Sequence, residues 1–158
     1  MIFFLDASAL VKLYHDEAGA ETIRQLFRRR DMEGAFFVSE LVLLEVLVRL
    51  TKEARKGGRR DRRQLQHLIR QHAWHREEYL TVLDFDLRSV RMAETLAIQY
   101  RDSGAGTLDL LHVASARQVQ ETVPDEPLVF VVADRKLRSL VERIGFRSLD
   151  PEAGGAAS

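Results

Sequence analysis

Two apolar runs that each end on a lone acid constrain this chain more than any other feature. Residues 3–6 read FFLD, and residues 128–134 read LVFVVAD. A run that stays apolar without alternating suits a strand buried on both faces, as in a parallel sheet between two layers of helices. Glu45 lies inside the helix-like SELVLLEVLVRL, and Asp109 opens a further helix in GTLDLLHVASA. Carboxylates set among apolar side chains are costly unless they are paired or bind a cation. If the fold gathers Asp6, Glu45, Asp109 and Asp134, their mutual repulsion would raise their pKa values unless a divalent metal neutralises them. An all-oxygen donor set of this kind suits Mg²⁺ or Mn²⁺.

The remaining pattern alternates between strands and helices. Ile2–Asp6 reads as the first strand, Gly34–Val38 as the second, Tyr79–Leu83 as a short third and Leu128–Val132 as the fourth, with Arg147–Leu149 as an edge strand. Ser8 is positioned to cap a short helix through Tyr14, and another helix is predicted from Ala20 to Arg30. Ser39 caps a helix to about Arg55 that Gly57 and Gly58 end, and Asp61 starts one running to Glu78. Further helices are predicted from Asp86 to Tyr100, from Leu108 to Thr122 behind a Thr107 cap, and after Asp134. The fold class is therefore α/β, a three-layer α/β/α sandwich around a mostly parallel sheet. Residues 1–150 form the single expected domain, and 151–158 (PEAGGAAS) the expected disordered tail. In open sheets of this kind the ligand site lies beyond the carboxyl ends of the strands, where Asp6 and Asp134 fall.

At 158 residues the chain is long enough to bury one core. No apolar stretch reaches the 18 or so residues of a membrane span, and the first residues lack the basic region of a secretory leader. Cysteine is absent, which excludes disulfides and thiol catalysis, and a cytoplasmic location is the expectation. The net charge of zero hides a strong asymmetry. Arg49, Lys52, Arg55, Lys56, Arg59, Arg60, Arg62, Arg63, Arg70 and Arg76 face only Glu53 and Asp61 within residues 49–76. Such a cluster suits a nucleic-acid backbone, or equally a solvated helix face in an arginine-rich chain.

Each acid also has a local alternative. Asp6 is placed to form a turn, Glu45 to pair with Arg49 at i,i+4, Asp109 to serve its helix dipole, and Asp134 to cap the last helix. Ser8 is placed either to hydrogen-bond the site or only to cap its helix. His67, His72 and His75 share one predicted helix in the basic segment, where exposure is the expectation, and His112 is expected to pack or bond locally. Trp74 and Tyr79 are candidates for base stacking or for packing under a helix.

The blocks FFLDASALVKLY, VSELVLLEVLVRL, GTLDLLHVASA and VFVVADRKL, in that order and spacing, resemble the PIN-domain ribonucleases, above all the VapC-type toxins of toxin–antitoxin pairs. The likeness runs through residues 1–150. It implies Asp6 and Asp109 as principal metal ligands, Glu45 and Asp134 completing the acidic cluster, and Ser8 supporting it. It further implies endonucleolytic cleavage of RNA with Mg²⁺ or Mn²⁺, a homodimer, and a small cognate antitoxin that blocks the acidic groove. Members often carry Thr and then Asn or His just before the fourth acid, and an aromatic residue three positions after it. Val132, Ala133 and Leu137 stand there instead, and Leu110 replaces a common Ala.

Two other functions fit parts of the pattern. An aspartyl-phosphate phosphatase or receiver-like domain also has an acid after its first strand, but such phosphatases carry a second acid where Ser8 stands. A non-catalytic RNA-binding or scaffold module would keep the fold without turnover, and the retention of all four acids speaks against it.

Overall fold

The computed structural model describes residues 1–29, 34–54 and 59–153, with the side chains of residues 59–61 left out of the description. Its strands are β1 (Ile2–Leu5), β2 (Ala35–Ser39), β3 (Leu80–Leu83), β4 (Leu128–Val131) and β5 (Arg147–Leu149). Its helices are α1 (Ala7–Leu10, continued by a 3₁₀ turn, Val11–Leu13), α2 (Ala20–Arg28), α3 (Glu40–Ala54), α4 (Arg59–Glu78), α5 (Leu87–Gln99), α6 (Thr107–Thr122) and α7 (Arg135–Ile144).

The strands form one sheet in the order β3-β2-β1-β4-β5, and every pairing is parallel. β1 is central, with Phe4 opposite Phe37 of β2 and Phe130 of β4. The pleat sends its residues alternately to two cores. Phe3 and Leu5 join Phe36, Val38, Val129 and Val131 beneath α1, α2 and α3. Ile2 and Phe4 join Leu128, Phe130 and Val132 beneath α5, α6 and α7. Burial on both faces is what requires the unbroken apolar runs, and it produces the expected three-layer α/β/α sandwich.

Strand and helix boundaries shift by a residue or two from the sequence reading, for local reasons. β1 ends at Leu5 because Asp6, whose N–H still donates to the Val131 carbonyl at 3.0 Å, caps α1 with its side chain, accepting from the Ser8 backbone N–H at 2.8 Å. Ser8 is therefore inside the helix rather than its cap. Ser39 does cap α3, its Oγ accepting from the Val42 N–H at 3.3 Å. Gly106, not Thr107, holds the cap position of α6. Gly57 and Gly58 lie outside the described residues, as do 154–158.

Pro151 is buried, and Glu152 accepts from the 4% exposed Lys12 at 2.8 Å. Gly19 lets this segment approach: at φ +80° a Cβ would sit 2.8 Å from the Pro151 carbonyl. No helix among the described residues is long and apolar enough to cross a membrane.

The order of strands creates a switch point, since the chain leaves β1 toward β2 on one side while β4 lies on the other. A crevice opens there beyond the carboxyl ends of the strands. Phe4, fully buried and 5.2 Å from the Phe130 ring, anchors the sheet beneath it. Phe4→Ala should lower the unfolding free energy by about 3–5 kcal/mol in urea titration, whereas Leu87→Ala at a 74% exposed position should stay within about 0.5 kcal/mol.

Candidate metal centre

Asp6 is the buried member of the acid set, 4% exposed. Its Oδ2 accepts from the Ser8 N–H at 2.8 Å and the Ser8 hydroxyl at 2.5 Å, and its Oδ1 accepts from His112 Nδ1 at 2.9 Å. Burial pushes the carboxyl pKa up, but the hydrogen bond and charge of His112 and the two Ser8 bonds outweigh it. The group ends below the ordinary carboxylate range.

Ser8 Oγ also accepts from the backbone N–H groups of Ala133 at 3.0 Å and Asp134 at 3.3 Å. One hydroxyl thus ties the end of β1 to the loop after β4. The role open to Ser8 in the sequence is the bridging one.

The other acids arrive on helices. Glu45 sits in the second turn of α3, half-buried, and among the described residues it makes no ion pair with Arg49 within 4 Å. Burial raises its pKa, and the pull of His112 and Arg49 in the other direction outweighs the repulsion from Asp6 and Asp109 without cancelling the effect of burial. Glu45 is thus raised as expected, but by burial more than by repulsion, while Asp6 is lowered because His112 and Ser8 hold its charged form.

Asp109 spends Oδ2 on the Gly106 N–H at 2.7 Å. Asp134 spends Oδ1 on the N–H groups of Lys136 and Leu137 at 2.8 and 2.9 Å. Both are helix-start acids, as their local alternatives foresaw, yet each has a second oxygen with no hydrogen bond among the described residues.

All four acids and Ser8 line one cavity of about 490 Å³. Arg49 and Lys52, one and two turns beyond Glu45 on α3, stand on its wall and are exposed to solvent. Leu41, Leu44, Val48 and Leu108 supply an apolar rim. Among the described residues no three His, Cys, Asp or Glu converge tightly enough to enclose an ion by themselves. The chemistry of the four acids, an all-oxygen donor set, is nonetheless the kind that Mg²⁺ or Mn²⁺ takes together with its own waters.

Two histidines, His72 and His75, behave otherwise than the sequence suggests, and His112 packs as expected but bonds a residue distant in the chain. His112 is 1% exposed and bonds Asp6, 106 residues away, with its Nε2 3.8 Å from Glu45 Oε2. Its signal in the sequence was a lone polar residue one turn past Asp109, on the face that α6 buries. His72 is buried against Tyr14, and His75 Nδ1 lies 3.1 Å from Tyr14 Oη, so neither is on the exposed basic face. Burial lowers the pKa of both. Trp74, half exposed, packs edge-on to Tyr79 at 4.8 Å.

Arg76 is spent on Glu40, while Arg62, Arg63 and Arg70 are exposed along α4. Arg55 and Lys56 lie outside the described residues, and the side chains of Arg59, Arg60 and Asp61 are undescribed.

A family model of the PIN domain matches residues 3–141. Among solved structures, VapC20 of Mycobacterium tuberculosis, a toxin that cleaves the sarcin–ricin loop, is similar at 17% identity and TM-score 0.65, covering 94% of this chain and 99% of its own. A toxin–antitoxin complex from Klebsiella pneumoniae is similar at 13% identity and TM-score 0.61, covering 94% and 96%. VapBC-1 of nontypeable Haemophilus influenzae is similar at 18% identity and TM-score 0.60, covering 96% and 98%. No curated protein matches the sequence.

The lowered Asp6 pKa fixes the sign of a pH effect. An acid whose pKa falls on folding contributes stability that is complete above its unfolded pKa, near 3.9, and is lost as pH falls through the folded value. In acid-unfolding experiments the stability advantage of wild type over Asp6→Asn should therefore shrink steadily below about pH 4.

Proposed function

The chain belongs to the PIN domain family, and from that premise we propose that it is a metal-dependent endoribonuclease, the toxin of a toxin–antitoxin pair. What carries this conclusion is the convergence of Asp6, Glu45, Asp109 and Asp134 on one cavity whose wall also holds Arg49 and Lys52. Acids that grip a cation beside cations that grip phosphate make a phosphodiester site. A divalent ion bound there supplies an activated water and neutralises charge on the leaving oxygen, so no side-chain nucleophile is required.

Asp6 and Asp109 are the principal ligands, and Glu45 and Asp134 complete the set directly or through water. Ser8 keeps Asp6 aligned with the loop that carries Asp134. Arg49 and Lys52 hold the RNA backbone next to the acids, and Arg62, Arg63 and Arg70 extend the positive field along α4. A rim of Leu41, Leu44, Val48 and Leu108 gives a bound chain an apolar edge to lie on.

The toxin assignment is supported by the shared fold with VapC20, named for cleaving the sarcin–ricin loop, and with the Klebsiella toxin–antitoxin complex. On that basis the partners are an RNA substrate, a small cognate antitoxin seated in the acidic groove, and a second copy of the chain, all in the cytoplasm.

RNA cleavage under metal titration is the test. Asp6→Asn and Asp109→Asn should each abolish cleavage with the circular dichroism spectrum unchanged, and Ser8→Ala should slow it about 10–100-fold. EDTA should stop cleavage and Mg²⁺ or Mn²⁺ restore it. Full activity in purified Asp6→Asn protein would overturn the assignment.

The cationic wall has its own measurement. In the inactive Asp6→Asn background, Arg49→Ala and Lys52→Ala should each flatten the log–log salt dependence of single-stranded RNA binding by about 0.7. An unchanged slope would take both residues out of the RNA path.

A further inference from the structure

His112 is a fully enclosed polar side chain that the proposed chemistry leaves without a task. It is 1% exposed on α6, and its Nε2 has no hydrogen-bond partner among the described residues. Buried ring nitrogens are normally satisfied, so an orphan 3.8 Å from Glu45, an acid that lines the cavity, calls for a reason beyond packing. The Nδ1 side supplies one. It sits 2.9 Å from Asp6 Oδ1, and because a carboxylate only accepts, Nδ1–H is the donor. Ser8 holds the other oxygen, Oδ2, through its hydroxyl at 2.5 Å and its backbone N–H at 2.8 Å.

We propose that His112 is a positioning residue that, with Ser8, locks the plane of the Asp6 carboxylate so that the free lone pair of Oδ1 presents to the cation. The carboxylate torsion of aspartate is intrinsically broad. Ser8 alone holds one oxygen and leaves the other free to swing about it. A second donor, brought by a different element to the other oxygen, removes that freedom. Oδ2 then has both lone pairs committed to Ser8, and Oδ1 has one committed to His112 and one available. The same ring lies between Asp6 and Glu45, with Nε2 3.8 Å from Glu45 Oε2, so it also spaces two of the four acids. This assignment rests on the nuclease reading for its purpose, while its geometry stands on Asp6, Ser8 and Glu45 alone.

Three substitutions separate orientation from packing. In His112→Asn the amide nitrogen falls near Nδ1 and can still donate to Asp6. In His112→Gln it falls near Nε2 and cannot. His112→Phe keeps a ring and removes both nitrogens. Mn²⁺ titration followed by electron paramagnetic resonance of the free ion gives a readout independent of turnover, with circular dichroism reporting the fold.

His112→Asn should bind Mn²⁺ within about 3-fold of wild type, while His112→Gln and His112→Phe should bind about 10–100-fold more weakly, the usual effect of removing a partner behind a metal ligand. In RNA cleavage the same loss should fall on kcat with KM little changed. A folded Gln or Phe variant with wild-type Mn²⁺ affinity would overturn the positioning role, as would equal losses in all three variants. Wild-type protein that binds Mn²⁺ but cleaves no RNA would instead overturn the nuclease reading, leaving the order of Mn²⁺ affinities to decide on His112.

Discussion

One buried carboxylate organises this molecule. Asp6 ends the central strand, caps the first helix, and receives His112 from α6 and Ser8 from α1. Ser8 in turn accepts two backbone N–H groups from the loop after β4. The end of β1, the first turns of α6 and the entry to α7 are therefore fastened at a single charged group. A charge taken out of water at 4% exposure would be prohibitive if unpaired, and the pairing is what keeps it ionised below the usual carboxylate range.

The four acids converge on one cavity but do not share one electrostatic situation, and the difference follows from where each sits on its element. Asp109 and Asp134 occupy helix starts, where unsatisfied N–H groups and the positive end of the helix dipole offset negative charge. Asp6 has two side-chain donors of its own. Glu45 lies inside α3, where every nearby backbone N–H is already committed to the helix, and its burial raises its pKa despite the pull of His112 and Arg49.

Much of this architecture was legible in the residues. The unbroken runs at 2–5 and 128–131 announced strands buried on both faces, and Ser39 announced the start of α3. Acids placed after β1 and β4 implied a crevice at the switch point, and all four do line it. What stayed hidden were contests between equivalent local donors and contacts distant in sequence. Asp6 and Ser8 are both good helix caps, and only the burial of Asp6 beside His112 decides between them. The His112 contact spans 106 residues and leaves no periodic trace in the chain. His72 and His75 share a helix with the arginines, so composition argued for exposure. The turn of α4 against Tyr14 put them inside.

A net charge of zero conceals how the charges are partitioned, and that partition is the strongest physical argument for what the cavity receives. Arg49 lies one helical turn from Glu45 and has the spacing to neutralise it. It does not: no ion pair forms between them among the described residues, and the guanidinium stays exposed on the cavity wall beside Lys52. Had the pair closed, Glu45 would need no further cation and Arg49 would have no charge to offer a ligand. With the pair open, the cavity presents carboxylates on one side and free cations on the other. That partition is what supports the proposed reading, since a phosphate accompanied by a divalent ion would satisfy both halves at once.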